Sequence, residues 1–370
     1  MPTSFDELDL NALVSRWCSA SCLHARLRHA TPAEWATAWE SLPYQPVGYG
    51  GPTIDYQHAY LRGLGWRVID ASLVLLNDGK PCGVWPLTIG GTAEPRLTSL
   101  GSGILPPRFG SSVSPRTIKT ITRRALDWVA AAQADLDQDD AEFEDPPVPI
   151  LIPLGVSEWH QQLLGQGAAL ATSHKLYVDL GPGLADIHRR FRKSYRPLVS
   201  LGLRTWKVEV MDSSGPSPSA WDEFRALHRV AAGRVTRSDE TWDLLFEMVA
   251  RGLACLVVLR DGVLGTLVGG GLFQFSRDES VYSVGAYNRD LFDKPLGHVV
   301  QARAIEILKA RGVRWHLLGE GAFPSDVPPP TAKVRSISAF KSGFASHVFA
   351  RYMYRVSRQR MPVSRPEQPL

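Results

Sequence analysis

The sequence predicts an α/β (α+β) chain of two tandem units, each a mixed, largely antiparallel sheet flanked by helices. Three observations predict it. At 370 residues the chain exceeds what one hydrophobic core usually organises. The stretch from Ala254 to Glu320 orders as hairpin, strand, glycine-containing loop, helix and strand. The stretch from Ala71 to Ala134 repeats that order, so the simplest account is two copies of one unit.

Composition narrows the class. With 44% hydrophobic and 21% charged residues the chain reads as an ordinary soluble protein. It holds no apolar run of the roughly 18 residues that a membrane helix needs, and the acidic start lacks a signal peptide's basic and apolar regions. A cytoplasmic location is the expectation. Cys18, Cys22, Cys82 and Cys255 are too scattered for a disulfide framework, and Cys18 and Cys22 lack the second ligand pair of a zinc site, so no metal is expected. A net charge of +4 suits an anionic substrate without demanding nucleic acid.

Taken in order, residues 1–22 read as an arm or short helix. Thr31-Pro32-Ala33-Glu34 reads as a helix start, with Thr31 capping and Pro32 at the first position. Tyr44 to Pro52 reads as a loop able to border a pocket. Asn77-Asp78-Gly79-Lys80 splits two apolar runs as a hairpin turn. A strand from Arg96, a loop over Leu105 to Gly110 and a helix over Pro115 to Ala134 follow. The acidic segment 135–147 reads as a solvated insertion, and Val148 to Ile152 as the last parallel strand of the first unit. The expected division is an arm 1–22, a first unit 23–180, a second unit 181–356 and a flexible tail 357–370.

Asp186 to Arg196 is the most charged stretch, with Ile187, Phe191 and Tyr195 recurring every four residues as a helical stripe. Its cations, Arg192, Lys193 and Arg196 among them, face either water or a phosphate. Further on, His228 precedes a polar loop containing Arg234 and Arg237, and Ser238 is placed to cap the next helix. The second hairpin turns at Arg260-Asp261-Gly262. A strand bearing Tyr282 and Tyr287 leads to Pro295-Leu296-Gly297-His298 and a helix ending at Arg311-Gly312. Near the C-terminus, Ile337, Phe340 and Phe344 are spaced to pack as one helical face, with Lys341 at its edge.

These segments together resemble the FemAB-like branch of the GNAT acyltransferase superfamily, over about Trp35 to Tyr354. The resemblance implies tandem GNAT-like domains with the acyl-donor site in the second. It implicates Phe340 and Lys341, in a Phe-Lys-x-x-Phe segment, in holding donor and transition state. The family's pyrophosphate loop departs here, because Lys294-Pro295-Leu296-Gly297-His298 offers one glycine; its helix start still presents amides to a phosphate. Acyl transfer needs a base, an oxyanion donor and a proton for the leaving group. Glu320 and His298 are the candidate bases, Tyr282 or Tyr287 the candidate acid, and Lys341 or strand amides the oxyanion partner. Arg192, Lys193, Arg196, His228, Arg234, Arg237, Tyr287 and Phe340 are the expected substrate contacts. The implied activity is N-acylation of an amino sugar or an activated surface-carbohydrate precursor, such as a nucleotide sugar. Acyl-CoA or aminoacyl-tRNA would be co-substrate, with no tightly bound cofactor. The alternatives are aminoacyl transfer from charged tRNA, and a non-catalytic anion-binding scaffold.

Overall fold

The computed structural model describes residue 5 and residues 8–150 and 155–358. The chain packs as two units, one running to Thr172 and resuming at Arg351, the other Ser173–Ala350.

The first unit opens with α1 (Leu10–Ser21), capped by the Asp9 carboxylate, which accepts from the Ala12 N–H. From Leu10 on, the expected arm is a core helix. Leu13, Val14 and Trp17 are buried, and the Trp17 indole donates to Asp135 at 2.6 Å and meets Trp128 edge-on. Next come β1 (Ala25–Leu27) and α2 (Pro32–Glu40). Pro32 begins α2 as expected, but the Thr31 hydroxyl donates back to the Leu27 carbonyl instead of capping. The expected loop before Pro52 becomes helical at Gly51, where α3 (Gly51–Gly63) starts.

Strands β2 (Arg67–Asp70), β3 (Leu73–Asn77), β4 (Lys80–Trp85), β5 (Thr88–Gly91), β6 (Arg96–Thr98) and β7 (Arg108–Phe109) follow. They form two antiparallel sheets, ordered β1-β3-β4-β7 and β2-β5-β6. The turn between β3 and β4 is the one expected, with Asp78 and Gly79 both at positive φ, 50° and 76°. Then come α4 (Pro115–Asp135), β8 (Asp140–Asp145) and α5 (Glu158–Gly165). Trp17, Trp85, Trp128 and Trp159 interlock as the centre of this core.

The acidic segment is not a solvated insertion. Its residues Asp140–Asp145 are β8, which buries Ala141, Phe143 and Asp145 in the period of two that a strand imposes. The strand expected over Val148 to Ile152 is absent over Val148 to Ile150, which lie outside any strand; Leu151 and Ile152 fall outside the described residues.

β9 (Ala169–Asp179) carries the chain into the second unit. There follow α6 (Leu184–Arg190), α7 (Tyr195–Thr205), β10 (Trp206–Met211), α8 (Pro218–Ala232), α9 (Asp239–Ala250), β11 (Ala254–Asp261), β12 (Leu267–Phe275), β13 (Glu279–Tyr287), α10 (Leu296–Ala310), β14 (Trp315–Gly321) and α11 (Ala332–Ser342). The sheet order is β10-β11-β12-β13-β14-β9, antiparallel except for the β13–β14 pair. β9 pairs with β14 from His174 to Asp179, which is why the second unit begins at Ser173 and not at the expected 181. β15 (His347–Ser357) returns the chain to the first unit, where Tyr352 to Ser357 pair with β8.

Two local expectations change. The β11–β12 connection is wider than a two-residue turn. The Asp261 carboxylate accepts from the Val263 and Leu264 N–H groups, and Gly265, not Gly262, takes the positive φ. The single basic helix is two helices, because Phe191 takes an extended ψ of 146° after α6. Ile187, Phe191 and Tyr195 are all buried, so the stripe was legible although the helix breaks within it.

Adjacent glycines on β12 show how the sheet is covered. A Cβ on Gly270 would press on Phe224 of α8, and one on Gly271 on Val300 of α10. Neighbouring strand residues point to opposite faces, so α8 and α10 cover opposite sides of this sheet.

Candidate active site

The β13–β14 ladder covers only Glu279 to Val281 against Trp315 to Leu317, although both strands run on. On its other edge β14 shifts register against β9 between Leu317 and Gly319. A wedge therefore opens between β13 and β14 at the level of Tyr282 and Gly319, and side chains from β13, β14, α10 and α11 converge on it.

Lys341, on α11, places its ammonium 5.4 Å from the centroid of the Tyr282 ring. It passes where a side chain on Gly319 would be: Gly319 sits at φ 134°, and a Cβ there would collide with Lys341 Nζ. Burial lowers the Lys341 pKa; the Glu320 charge opposes that shift and the Lys175 charge adds to it. Lys175 of β9 is ion-paired with Glu320. Glu320 is thus flanked by two lysines at the strand end, half of its side chain in solvent (50%).

Tyr282 and Tyr287 come together, their hydroxyl oxygens 3.0 Å apart. The Tyr282 ring lies against the facing glycines Gly271 and Gly285, where Cβ atoms would strike it, and stacks on Phe273 with centroids 5.1 Å apart. Burial pushes the Tyr282 hydroxyl up to about 12 and raises that of Tyr287 well above the ordinary tyrosine value, so both are protonated at neutral pH.

His316 of β14 shares this face. It is fully buried, its Nδ1 is 2.8 Å from Ser280 Oγ, and its ring is 5.6 Å from Phe273. Burial above all pulls its pKa down to about 3, so the ring is neutral. His316, Gln301 and Lys175 were not singled out from sequence, where each looks like an isolated polar residue in a core strand or helix. The period-two register that sets Ser280 opposite His316 becomes visible only once β13 and β14 are paired.

His298 goes elsewhere. Its ring meets Tyr195 at 4.4 Å, Phe340 at 5.1 Å and Phe344 at 6.1 Å, and no contact joins it to Glu320, Tyr282 or Lys341 among the described residues. Burial first, then the Arg192 charge, lowers its pKa. Phe340 lies on the start of α10, 3.0 Å from where a Gly297 Cβ would be. The Leu296 side chain is core and its N–H donates to the Lys294 carbonyl, so the amides of Gly297 and His298 are what the α10 start can offer an anion. Phe344 is buried as expected, whereas Ile337 is 45% exposed and not part of that face.

The basic run is engaged locally. Arg192 caps the end of α11, donating to the Ala339 carbonyl at 3.0 Å and to Ser342 Oγ, with its own N–H on the Gly343 carbonyl. Arg196 donates to the Arg189 carbonyl, and Arg189 pairs with Asp186. Lys193 is exposed.

On the other face of the sheet, α8 and α9 bound a cleft of about 360 Å³ lined by Arg225, His228, Arg229, Arg234, Arg237 and Trp242, among others. Ser217 and Ser238 cap the two helices, Ser238 as expected. Arg237 Nη1 donates to His228 Nε2 at 3.2 Å, which requires a neutral ring; burial, with the Arg237 charge second, holds the His228 pKa at about 4. Arg225 faces Asp239 and Asp222. The remaining arginines give the cleft a positive balance.

No protein-family model matches this chain and no curated protein matches it. Among solved structures, FemX is 13% identical, with a TM-score of 0.62 over 91% of this chain and 98% of its own. L-PGS from Bacillus licheniformis is 14% identical, with a TM-score of 0.54 over 88% and 91%. A conserved protein of unknown function from Bacteroides thetaiotaomicron is 8% identical, with a TM-score of 0.55 over 90% and 99%. The chain has the FemX fold. The chain forms two units, the second running from Ser173 to Ala350. In this FemX-like chain the Lys341–Tyr282 wedge and the arginine cleft both belong to the second unit. No described helix is long and apolar enough to cross a membrane, and no cluster of metal ligands occurs among the described residues.

Proposed function

We propose that the second unit transfers an acyl or aminoacyl group to an amine, with the wedge between β13 and β14 as the reacting centre. The observation that carries the reading is Lys341, held over Tyr282 at the mouth of the wedge beside Glu320. A partly buried ammonium is costly without an anion, and the oxyanion of a tetrahedral intermediate is one. In this reading the acceptor amine attacks the donor carbonyl and Lys341 stabilises the oxyanion. Tyr282, with Tyr287 behind it, gives its proton to the departing thiolate or sugar hydroxylate, and Glu320 receives the amine's proton. His298 acts at the α10 start, with Phe340, where the donor's phosphate would lie. It is not the base.

The acceptor side is the arginine cleft. His228, Arg234 and Arg237 are its working residues, and its charge suits a phosphorylated acceptor such as a nucleotide-activated amino sugar. Acyl-CoA and charged tRNA are the two donors the reading admits. The test is to incubate the folded protein with acetyl-CoA, other short acyl-CoAs and charged tRNA pools, each beside amino-sugar and nucleotide-sugar acceptors, and to follow product by mass spectrometry. An N-acylated product supports the reading. Silence with every pair favours an anion-binding scaffold.

A further inference from the structure

Beneath α10, on the Lys341 side of the sheet, lies a polar island inside an otherwise apolar core. Gln301 is fully buried, and neither its Nε2 nor its Oε1 meets a hydrogen-bond partner among the described residues. His316, also fully buried, has an equally unpartnered Nε2. The neighbours of Gln301 on α10, Val300 and Ile305, are core side chains. A leucine or methionine at 301 would fold as well and leave no amide stranded, because a buried donor or acceptor without a partner is paid for in full.

The amide is near one polar group that the proposed chemistry uses. Val300, beside Gln301 on α10, and the Tyr282 ring both reach the point where a Gly271 Cβ would be, at 2.8 and 3.0 Å, so this turn of α10 lies on Tyr282. The Gln301 amide favours the ionised Tyr282 hydroxyl without completing a hydrogen bond to it, and the Tyr287 hydroxyl stands 3.0 Å away. The two hydroxyls share one hydrogen bond, which either oxygen can donate. If Tyr287 donates to Tyr282, the proton left over belongs to Tyr282 and is free to leave.

We propose that Gln301 is a positioning residue that completes its hydrogen bond to Tyr282 only when Tyr282 gives up its proton. This rests on the transfer reading above. The Tyr282 O–H proton passes to the departing oxygen or sulfur, and the phenolate that remains accepts Nε2–H of Gln301 and O–H of Tyr287. It regains a proton from solvent once product leaves. An interaction made only in the charged state lowers the barrier without tightening substrate binding. The groups facing Tyr282 are Tyr287 on its own strand, Gln301 on α10, Lys341 on α11 and, across Phe273, His316 on β14. His316 stays neutral, so Lys341 is the one positive charge in this set.

The experiment is ¹⁹F NMR of protein grown with 3-fluorotyrosine, whose phenol ionises at lower pH than tyrosine. The Tyr282 signal is assigned by its loss in Tyr282→Phe. In Gln301→Met the Tyr282 titration should move up by about half a pH unit or more. Turnover should fall several-fold with KM unchanged, and the melting temperature should hold or rise. Gln301→Leu repeats the comparison with a second apolar side chain, and the variant that melts cooperatively is the one read. An unmoved Tyr282 titration overturns the proposal, even where turnover falls. Failure of the transfer reading is a separate result: wild-type protein inert with every donor, whatever the tyrosine does.

Discussion

Lys341 and Tyr282 meet ammonium over ring face, 5.4 Å from nitrogen to centroid, and the approach exists because Gly319 carries no side chain. A cation over an aromatic face is attracted by its quadrupole, so the pair holds the charge in place without neutralising it. Gly319→Ala forces a side chain into a φ of 134° and into the path of Lys341 Nζ. The expected outcome is a loss of about 1–3 kcal/mol of stability from the backbone conformation and a fall in turnover that exceeds the stability loss. Denaturant melts and steady-state rates on one preparation check it.

Arg192 is engaged within the fold. Its guanidinium ties the Ala339 carbonyl and Ser342 at the end of α11. Arg192→Ala should lower stability by about 1 kcal/mol, the scale of one hydrogen bond in water's reach, and leave acceptor affinity unchanged. Lys193→Ala should change neither. Urea midpoints and acceptor titrations separate the two.

The arginine cleft predicts a binding phenotype. Arg234→Ala and Arg237→Ala should each raise the acceptor's Kd about tenfold, the low end for a charge-assisted contact. The affinity should fall as salt rises. Arg237→Ala also removes a positive neighbour from His228, so the His228 titration should move up from about 4. Calorimetry at two salt concentrations and histidine NMR measure these effects.

Acid should destabilise the fold through its histidines. His228 and His316 are held at about 4 and about 3, below the ordinary 6.5. Each is neutral in the folded chain and takes up a proton more readily when unfolded. The unfolded state therefore binds more protons, and stability falls as pH drops from about 6.5 toward 4. His316→Leu should flatten that slope in melts taken between pH 7 and pH 4.

Much of this was written in the sequence. The Asp78-Gly79 hairpin, the β12–β13–α10–β14 order and the Ser238 cap follow from turn chemistry and periodicity. What escaped has physical reasons. β8 hides because charge count masks the alternation of Ala141 and Phe143 among acids. The local engagement of the basic run escaped because sequence does not show that Arg192 and Arg196 end on backbone carbonyls. The packing of His298 against Tyr195 and Phe344 escaped because those neighbours are distant in the chain.

The most direct test of the account is the rate of acyl transfer by Lys341→Ala, measured beside its melting temperature. Loss of one oxyanion partner predicts a fall of about 10²-fold in kcat with the melting temperature near wild type. Lys341→Arg should recover little, since a planar fork does not replace a compact charge. In the wild type, kcat should decline on the alkaline side at a pH below the ordinary lysine value of 10.5, because the ammonium is lost through a lowered pKa. A Lys341→Ala enzyme with full turnover, or one that no longer melts cooperatively, would contradict the assignment of Lys341 to the transition state.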